Sequence, residues 1–118
     1  MSQTVIPMIH VPDVNATVDW YVSIGFKVIR HNEEDGVFNW AKLSFGNSEL
    51  MLNAGGEPSS AHRREVDLYV TIDKVDDLHG RLKSRVQLLE GLHDAFYGMR
   101  EFTIRDLNGF WVTFGQPQ

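Results

Sequence analysis

Aromatic and acidic side chains recur at every second position of several short apolar segments of the chain. In VDLYVTI, residues 66–72, Asp67, Tyr69 and Thr71 alternate with four apolar residues. Because successive side chains of a strand point to opposite faces, each such segment is predicted to cover a core with one face and to present the other. The second face is predicted to carry Met8, His10, Phe38, Trp40, Glu49, Met51, Asp67, Tyr69, Glu101, Thr103, Trp111 and Thr113.

This residue set is typical of a site for a planar or cationic organic molecule. Aromatic walls bind such a molecule by stacking and cation–π attraction, and a few carboxylates offset its charge. The predicted ligand contacts are Phe38, Trp40, Glu49, Met51, Asp67, Tyr69, Glu101, Trp111 and Thr113. Trp and Tyr are also enriched in subunit interfaces, so an interface is the alternative, and both hold if the binding cleft lies at an interface.

The histidines and serines predict no catalytic residue. The five histidines form neither His-x-His nor His-Glu-x-x-His, and the serines lack a nucleophile-elbow context. His10 shares the predicted face with Asp67, so a metal site of His10, Glu49 and Asp67 stays open as the weaker alternative to no metal and no cofactor. His93 is predicted on a loop that rims the cleft. The absence of cysteine excludes disulfides and thiolate ligands.

Two similar halves are predicted to position these residues. Each half has an apolar strand, a short helix and three further strands, which gives β-α-β-β-β twice. In the first half, Asp13 or Asn15 is predicted to cap the helix, and Gly25 to end it. Glu33-Glu34-Asp35 is predicted to be a solvated loop. Arg100 is predicted to pair with a carboxylate.

Composition places the chain among ordinary globular domains and excludes several functions. Its 118 residues predict one domain, residues 1–118, made of modules at about 1–56 and 64–118 around a turn-rich midpoint. A net charge of -5 argues against a nucleic-acid partner, and no apolar run is long enough to span a membrane. The first residues show no export signal, so a cytoplasmic location is predicted.

The chain resembles the vicinal-oxygen-chelate superfamily, the glyoxalase/bleomycin resistance protein/dioxygenase group. The resemblance rests on the order and spacing of motifs along the whole chain: HVPDV (10–14), DWY (19–21), GFKV (25–28), DLYV (67–70), DKVD (73–76), YGMREF (97–102), RDLNG (105–109) and FGQP (114–117). The last third is most similar to bleomycin resistance proteins, although Leu107 replaces their usual turn proline. The resemblance implies an α+β fold in which two tandem βαβββ modules form a curved mixed β-sheet with helices on its convex face.

The resemblance also implies four positions for a divalent metal in the superfamily's enzymes. Carried over one by one, they fall on Ile6, Met51 (or Glu49 in a shifted register), Asp67 and Thr113. Ile6 and Met51 offer nothing to a hard cation, and Thr113 offers at best a hydroxyl. The metal site is therefore predicted to be absent.

The function predicted from these observations is that of the bleomycin-resistance type. By resemblance, a homodimer shares two clefts between its subunits and sequesters an organic, cationic or aromatic ligand without transforming it. A metal-dependent enzyme of the same fold, a glyoxalase-like lyase or a dioxygenase, is the first alternative. A protein whose aromatic face serves only dimer assembly is the second.

Overall fold

The computed structural model describes residues 3–118, which form eight strands and two helices in two compact units. The first unit ends at Pro58 and contains β1 (Met8–His10), α1 (Val14–Ser23), β2 (Lys27–Glu34), β3 (Val37–Phe45) and β4 (Ser48–Asn53). The second begins at Ser59 and contains β5 (Leu68–Thr71), α2 (Val75–Leu82), β6 (Gln87–Asp94), β7 (Met99–Arg105) and β8 (Trp111–Pro117). The predicted β-α-β-β-β order is confirmed in both halves.

Each unit has its own four-stranded mixed sheet. The strand orders are β1-β4-β3-β2 and β5-β8-β7-β6. The first strand of each unit pairs in parallel with the last, and the other neighbours are antiparallel. The predicted mixed α+β class is therefore confirmed. Within residues 3–118, neither helix is long and apolar enough to cross a membrane.

Helix α1 covers one face of the first sheet. Of the two predicted caps, Asp13 is the one used: its Oδ1 accepts a hydrogen bond from the Ala16 amide at 3.0 Å. Its buried apolar side chains, Val14, Val18 and Tyr21, belong to the same core as the buried residues of β3 and β4, which are Ala41, Leu43, Leu50 and Leu52. Gly25 follows the helix with a φ of 117°, a conformation that glycine adopts without a Cβ penalty. In β3 and β4, apolar side chains at alternate positions are therefore buried against α1, as the sequence predicts.

Helix α2 is fixed to the second sheet by its first turn. The Val75 amide donates to the Gln116 side-chain oxygen at 2.9 Å. The side chain of Arg100 donates to Asp76 at 2.8 Å and to Asp94 at 3.0 Å, so the predicted carboxylate pairing is confirmed. The hydrogen bond from Arg100 lowers the pKa of Asp76 below its usual value. The apolar faces of helix and sheet are buried: Val75, Leu78, Leu82, Phe102, Ile104, Val112 and Phe114.

Two strand ends differ from the predictions. Glu33 and Glu34 lie at the end of β2, which continues to a two-residue turn at Asp35-Gly36 with φ values of 51° and 81°. Asp-Gly is the usual sequence of such a turn, and the charged residues lie on an exposed edge strand, not in a loop. His93 lies on β6 opposite Glu101, because β6 extends to Asp94. The prediction of a rim loop for His93 is therefore wrong.

Two glycine substitutions test this packing in opposite directions. A Cβ added to Gly56 would overlap the backbone of His10 and Val11, whereas a Cβ on Gly80, inside α2, meets nothing within 4 Å. We expect Gly56→Ala to lower the free energy of unfolding by about 1–3 kcal/mol through overpacking. Gly80→Ala is expected to raise it by about 0.5–1 kcal/mol, since alanine is the better helix former. Urea denaturation of the two variants measures both effects; equal effects would contradict the predicted difference.

Candidate functional site

The first sheet presents a mixed aromatic, thioether and charged surface on the face opposite α1. Strand register places Met51 between Lys42 and Met8, and Asn53 between Trp40 and His10. Lys42 Nζ lies 3.9 Å from Glu49 Oε1, so the Glu49 carboxylate already faces a cation of its own sheet. Trp40, Glu49 and Met51 are each partly exposed, which leaves them able to contact a ligand.

Phe38, a predicted ligand contact, packs against a histidine of its own sheet. The β2–β3 ladder slips between Asn32 and Glu33, so that Trp40 pairs with Asn32 and Phe38 with Glu33. The Phe38 ring stacks on the imidazole of His31, with centroids 4.3 Å apart and an interplanar angle of 8°. His31 in turn lies 3.2 Å from Glu33. This irregularity joins Phe38 to a histidine that the sequence analysis did not place in the site.

A buried carboxylate organises the equivalent face of the second sheet. The Glu101 side chain is 8% exposed, and its two oxygens accept hydrogen bonds from different phenols. Tyr69 donates to Oε2 at 2.7 Å, and Tyr97 donates to Oε1 at 2.5 Å. His93 Nε2 lies 3.6 Å from Oε1 and forms an ion pair when the imidazole is protonated. The structure therefore joins the predicted Tyr69 and Glu101 and adds Tyr97 and His93.

The two phenols are stabilised in their neutral form. Burial, followed by the hydrogen bond to Glu101, raises the pKa of Tyr69 well above its ordinary value. The hydrogen bond to Glu101 is the main cause that raises the pKa of Tyr97. A phenol that donates to a carboxylate loses this bond and meets a like charge when it ionises. At neutral pH both rings are thus fixed donors, while about half of each residue remains exposed.

Gly115 permits the bond between Tyr69 and Glu101. Tyr69 is paired with Thr113, whereas Glu101 is paired with Gly115, one row further along the sheet. A Cβ on Gly115 would overlap the Tyr69 hydroxyl. The Tyr69 ring therefore crosses the space that a side chain at position 115 would fill. Thr113, the strand partner of Tyr69, is hydrogen-bonded to the buried Thr103, with the two hydroxyl oxygens 2.8 Å apart.

Trp111 and Asp67 are connected through a cation of the chain itself. We call residues His62, Arg63 and Arg64 the arginine strap. The Arg63 guanidinium carbon lies 4.2 Å from the centroid of the Trp111 ring, and the guanidinium forms an ion pair with Asp67. The hydrogen bond to Asp67 raises the pKa of Arg63. The His62 carbonyl accepts a hydrogen bond from the Trp111 indole nitrogen at 3.1 Å.

The residues at the superfamily's metal positions do not fit a divalent cation. Ile6 has a hydrocarbon side chain and Met51 a soft thioether. The Thr113 hydroxyl is bonded to Thr103, and Asp67 is paired with Arg63. Among residues 3–118, the side chains of His, Asp and Glu form no group of three or more that could hold a metal ion. No reaction step is therefore assigned to a bound metal.

Sequence reasoning missed Tyr97 and Arg63 as parts of these surfaces, and it placed His93 on a loop at the rim instead of on β6 opposite Glu101. Tyr97 reaches Glu101 because Gly98, with a φ of 86°, turns the chain tightly between β6 and β7. A Tyr-Gly pair four residues before an acidic strand position was the available signal. Arg63 stands four residues before Asp67. This spacing predicts an ion pair only when the conformation of residues 64–66 is known.

Gly115→Ala tests the geometry of the two phenols. The added methyl group is expected to displace the Tyr69 hydroxyl from Glu101, since the far end of a side chain moves more easily than backbone. The pKa of Tyr69 should then fall toward its ordinary value of about 10, while that of Tyr97 stays raised. Alkaline titration of the tyrosine ring carbons by NMR measures both values.

The same substitution has a consequence for stability. A phenol whose pKa is raised on folding contributes stability that is present below about pH 10 and is lost as pH rises through the folded value. The wild-type free energy of unfolding should therefore fall more steeply above pH 10 than that of Gly115→Ala. Gly91→Ala is the control, because a Cβ there meets nothing within 4 Å. Identical tyrosine titrations in all three proteins would contradict this geometry.

Solved structures of several other proteins have similar folds. TioX from Micromonospora sp. ML1 is 24% identical, with 99% of this chain and 100% of that chain covered and a TM-score of 0.80. The bleomycin-binding protein of Streptomyces verticillus, solved with copper(II)-bleomycin, is 21% identical over 100% of both chains, with a TM-score of 0.73. TnmS3, an antibiotic binding protein from Streptomyces sp. CB03234, is 21% identical over 100% of this chain and 99% of that chain, with a TM-score of 0.71.

The comparison with curated proteins finds no match. At identities of 21–24%, the solved structures establish a shared fold. The family model of the Glyoxalase/Bleomycin resistance protein/Dioxygenase superfamily matches residues 4–114, which is most of the chain. The chain therefore belongs to the Glyoxalase/Bleomycin resistance protein/Dioxygenase superfamily.

Proposed function

We propose that this protein binds a small organic molecule with aromatic or cationic groups and sequesters it without transforming it. The observation that carries the proposal is the fixed arrangement of exposed rings around acidic groups in the second unit. Tyr69 and Tyr97, 49% and 54% exposed, are held as donors by one buried carboxylate, that of Glu101. Rings held in one position bind a flat ligand at a lower entropic cost than mobile side chains do.

The chemistry of the surfaces supports binding more than catalysis. Glu101 accepts a hydrogen bond on each oxygen, so it is a positioned acceptor with two partners already in place. The Trp111 ring and the Asp67 carboxylate attract a guanidinium group in the structure itself. In the first unit, Trp40 and Met51 add polarizable surface of the kind that adaptable binding sites use. Known binders share the fold, among them a bleomycin-binding protein and an antibiotic binding protein.

The proposal includes a homodimer that binds its ligand without a metal. The aromatic residues that suit a ligand also suit a subunit interface, which favours an assembly of two chains around the binding surfaces. A cytoplasmic location stays a prediction from the sequence. The donor atoms at the superfamily's metal positions give the lyase and dioxygenase alternatives no support, since two of the four offer no oxygen or nitrogen atom.

Tryptophan truncation tests the proposed function. The probes are bleomycin and copper(II)-bleomycin, followed by a panel of aromatic antibiotics with and without cationic groups, each titrated by calorimetry. Trp40→Ala and Trp111→Ala are each expected to weaken binding by about tenfold or more, because a buried aromatic anchor typically dominates a binding interface. The double variant should bind none of the compounds that the wild type binds.

Trp20→Ala is the matched control, since it makes the same truncation on α1. Circular dichroism establishes that each variant is folded, and light scattering measures the mass of the assembly. A folded double variant that keeps full affinity would contradict the proposed function. A wild type that binds no compound, together with a double variant that dissociates to monomers, would favour the alternative in which the aromatic face serves only assembly.

A further inference from the structure

One guanidinium group makes both of the contacts that the proposed function assigns to a ligand. Arg63 lies with its guanidinium carbon 4.2 Å from the centroid of the Trp111 ring, in cation–π geometry. The same group donates to both carboxylate oxygens of Asp67, from Nε to Oδ1 at 3.3 Å and from a terminal nitrogen to Oδ2. A flat face for stacking and a two-oxygen acceptor at its side together recognise a planar cation.

The arginine strap is anchored independently of the Arg63 side chain. The His62 carbonyl accepts hydrogen bonds from the Trp111 indole at 3.1 Å and from the Arg105 guanidinium at 2.5 Å. On the other side, Arg64 stacks over Phe110 at 4.3 Å and donates to the Asn108 carbonyl at 2.8 Å. The His62 backbone and the Arg64 side chain therefore hold the strap to the second unit, and the Arg63 side chain can leave Trp111 without releasing the strap.

The Arg63 side chain is exposed enough to be displaced. It is 55% exposed and that of Asp67 is 36% exposed, so solvent reaches both partners of the ion pair. Exposed pairs of this kind contribute little to stability and are weakened by salt. A free cation of the same shape can stack on the same ring and pair with the same carboxylate. Each of these contacts is then about as strong for the free cation as it is for Arg63.

We propose that Trp111 and Asp67 form a subsite for a planar, delocalised organic cation, an amidinium or guanidinium group, and that Arg63 occupies this subsite when no ligand is bound. The inference rests on the proposed function and names the chemical class that one part of its binding surface takes. Because Arg63 is tethered beside the subsite, it acts as a competitor at high effective concentration. It therefore sets a threshold that excludes weakly binding cations.

Removal of the internal competitor tests the proposal. The probe is benzamidine, which carries a planar amidinium on a phenyl ring, and benzamide is its neutral control. The indole N–H resonance of Trp111 is followed by NMR in wild type, in Arg63→Ala and in Arg81→Ala. Arg81 lies exposed on α2, so its removal changes the net charge equally. Arg63→Ala should bind benzamidine roughly threefold to tenfold more tightly than the other two proteins, the size expected for one exposed cation–π contact and its ion pair.

Two further results support or overturn the subsite. Asp67→Asn in the Arg63→Ala background should cancel the gain in benzamidine affinity, and benzamide affinity should be the same in all variants. Equal benzamidine affinity in wild type and Arg63→Ala, or tighter binding in Arg81→Ala as well, would overturn the proposal. Failure of Asp67→Asn to reverse the gain would overturn the role of the carboxylate.

The outcomes distinguish this inference from the proposed function. Tighter benzamidine binding in Arg63→Ala, with no compound of the antibiotic panel bound by any variant, would keep the cation subsite and reject the proposed function. Binding of an antibiotic that depends on the tryptophans, with benzamidine affinity unchanged by Arg63→Ala, would keep the proposed function and reject the subsite.

Discussion

Burial of the Glu101 carboxylate is the constraint on which the second unit's surface depends. A carboxylate removed from water is costly unless hydrogen bonds replace its hydration, and the Glu101 side chain is only 8% exposed. The phenols of Tyr69 and Tyr97 supply those bonds, which requires Gly115 to leave space for one ring and Gly98 to turn the chain toward the other. Satisfying one buried acid thus determines where two exposed rings lie.

The three acidic groups of the predicted ligand-binding set have partners within their own unit. Glu49 faces Lys42, Asp67 is paired with Arg63, and Glu101 accepts from two phenols. A surface of unpaired carboxylates would repel itself and attract metals or any cation. Two of these three carboxylates face a cation of the chain, and the third, that of Glu101, is held by two neutral phenols. A ligand that binds at these carboxylates must therefore join or replace partners that are already present.

Much of the fold could be predicted because strand alternation and helix spacing are local properties of the sequence. The alternation within β5 and β8 needed no tertiary information, although β5 begins at Leu68, two residues after the predicted start, and Val66 is exposed. The sequence also restricted the helix cap to Asp13 or Asn15, of which Asp13 is the one used. The contacts within the site could not be predicted in the same way. Arg63 over Trp111 and Tyr97 against Glu101 depend on loop conformations, and the stacking of Phe38 on His31 accompanies a register slip that no periodicity reveals.

The most direct test of the central claim is whether a bound compound is released unchanged when no metal is present. The protein is treated with EDTA, titrated calorimetrically with the antibiotic panel, and each bound compound is recovered and identified by mass spectrometry. Saturable binding, unaffected by EDTA and followed by recovery of the intact compound, is the predicted result. Binding that appears only after a divalent metal is restored, or recovery of a chemically altered compound, would contradict the account.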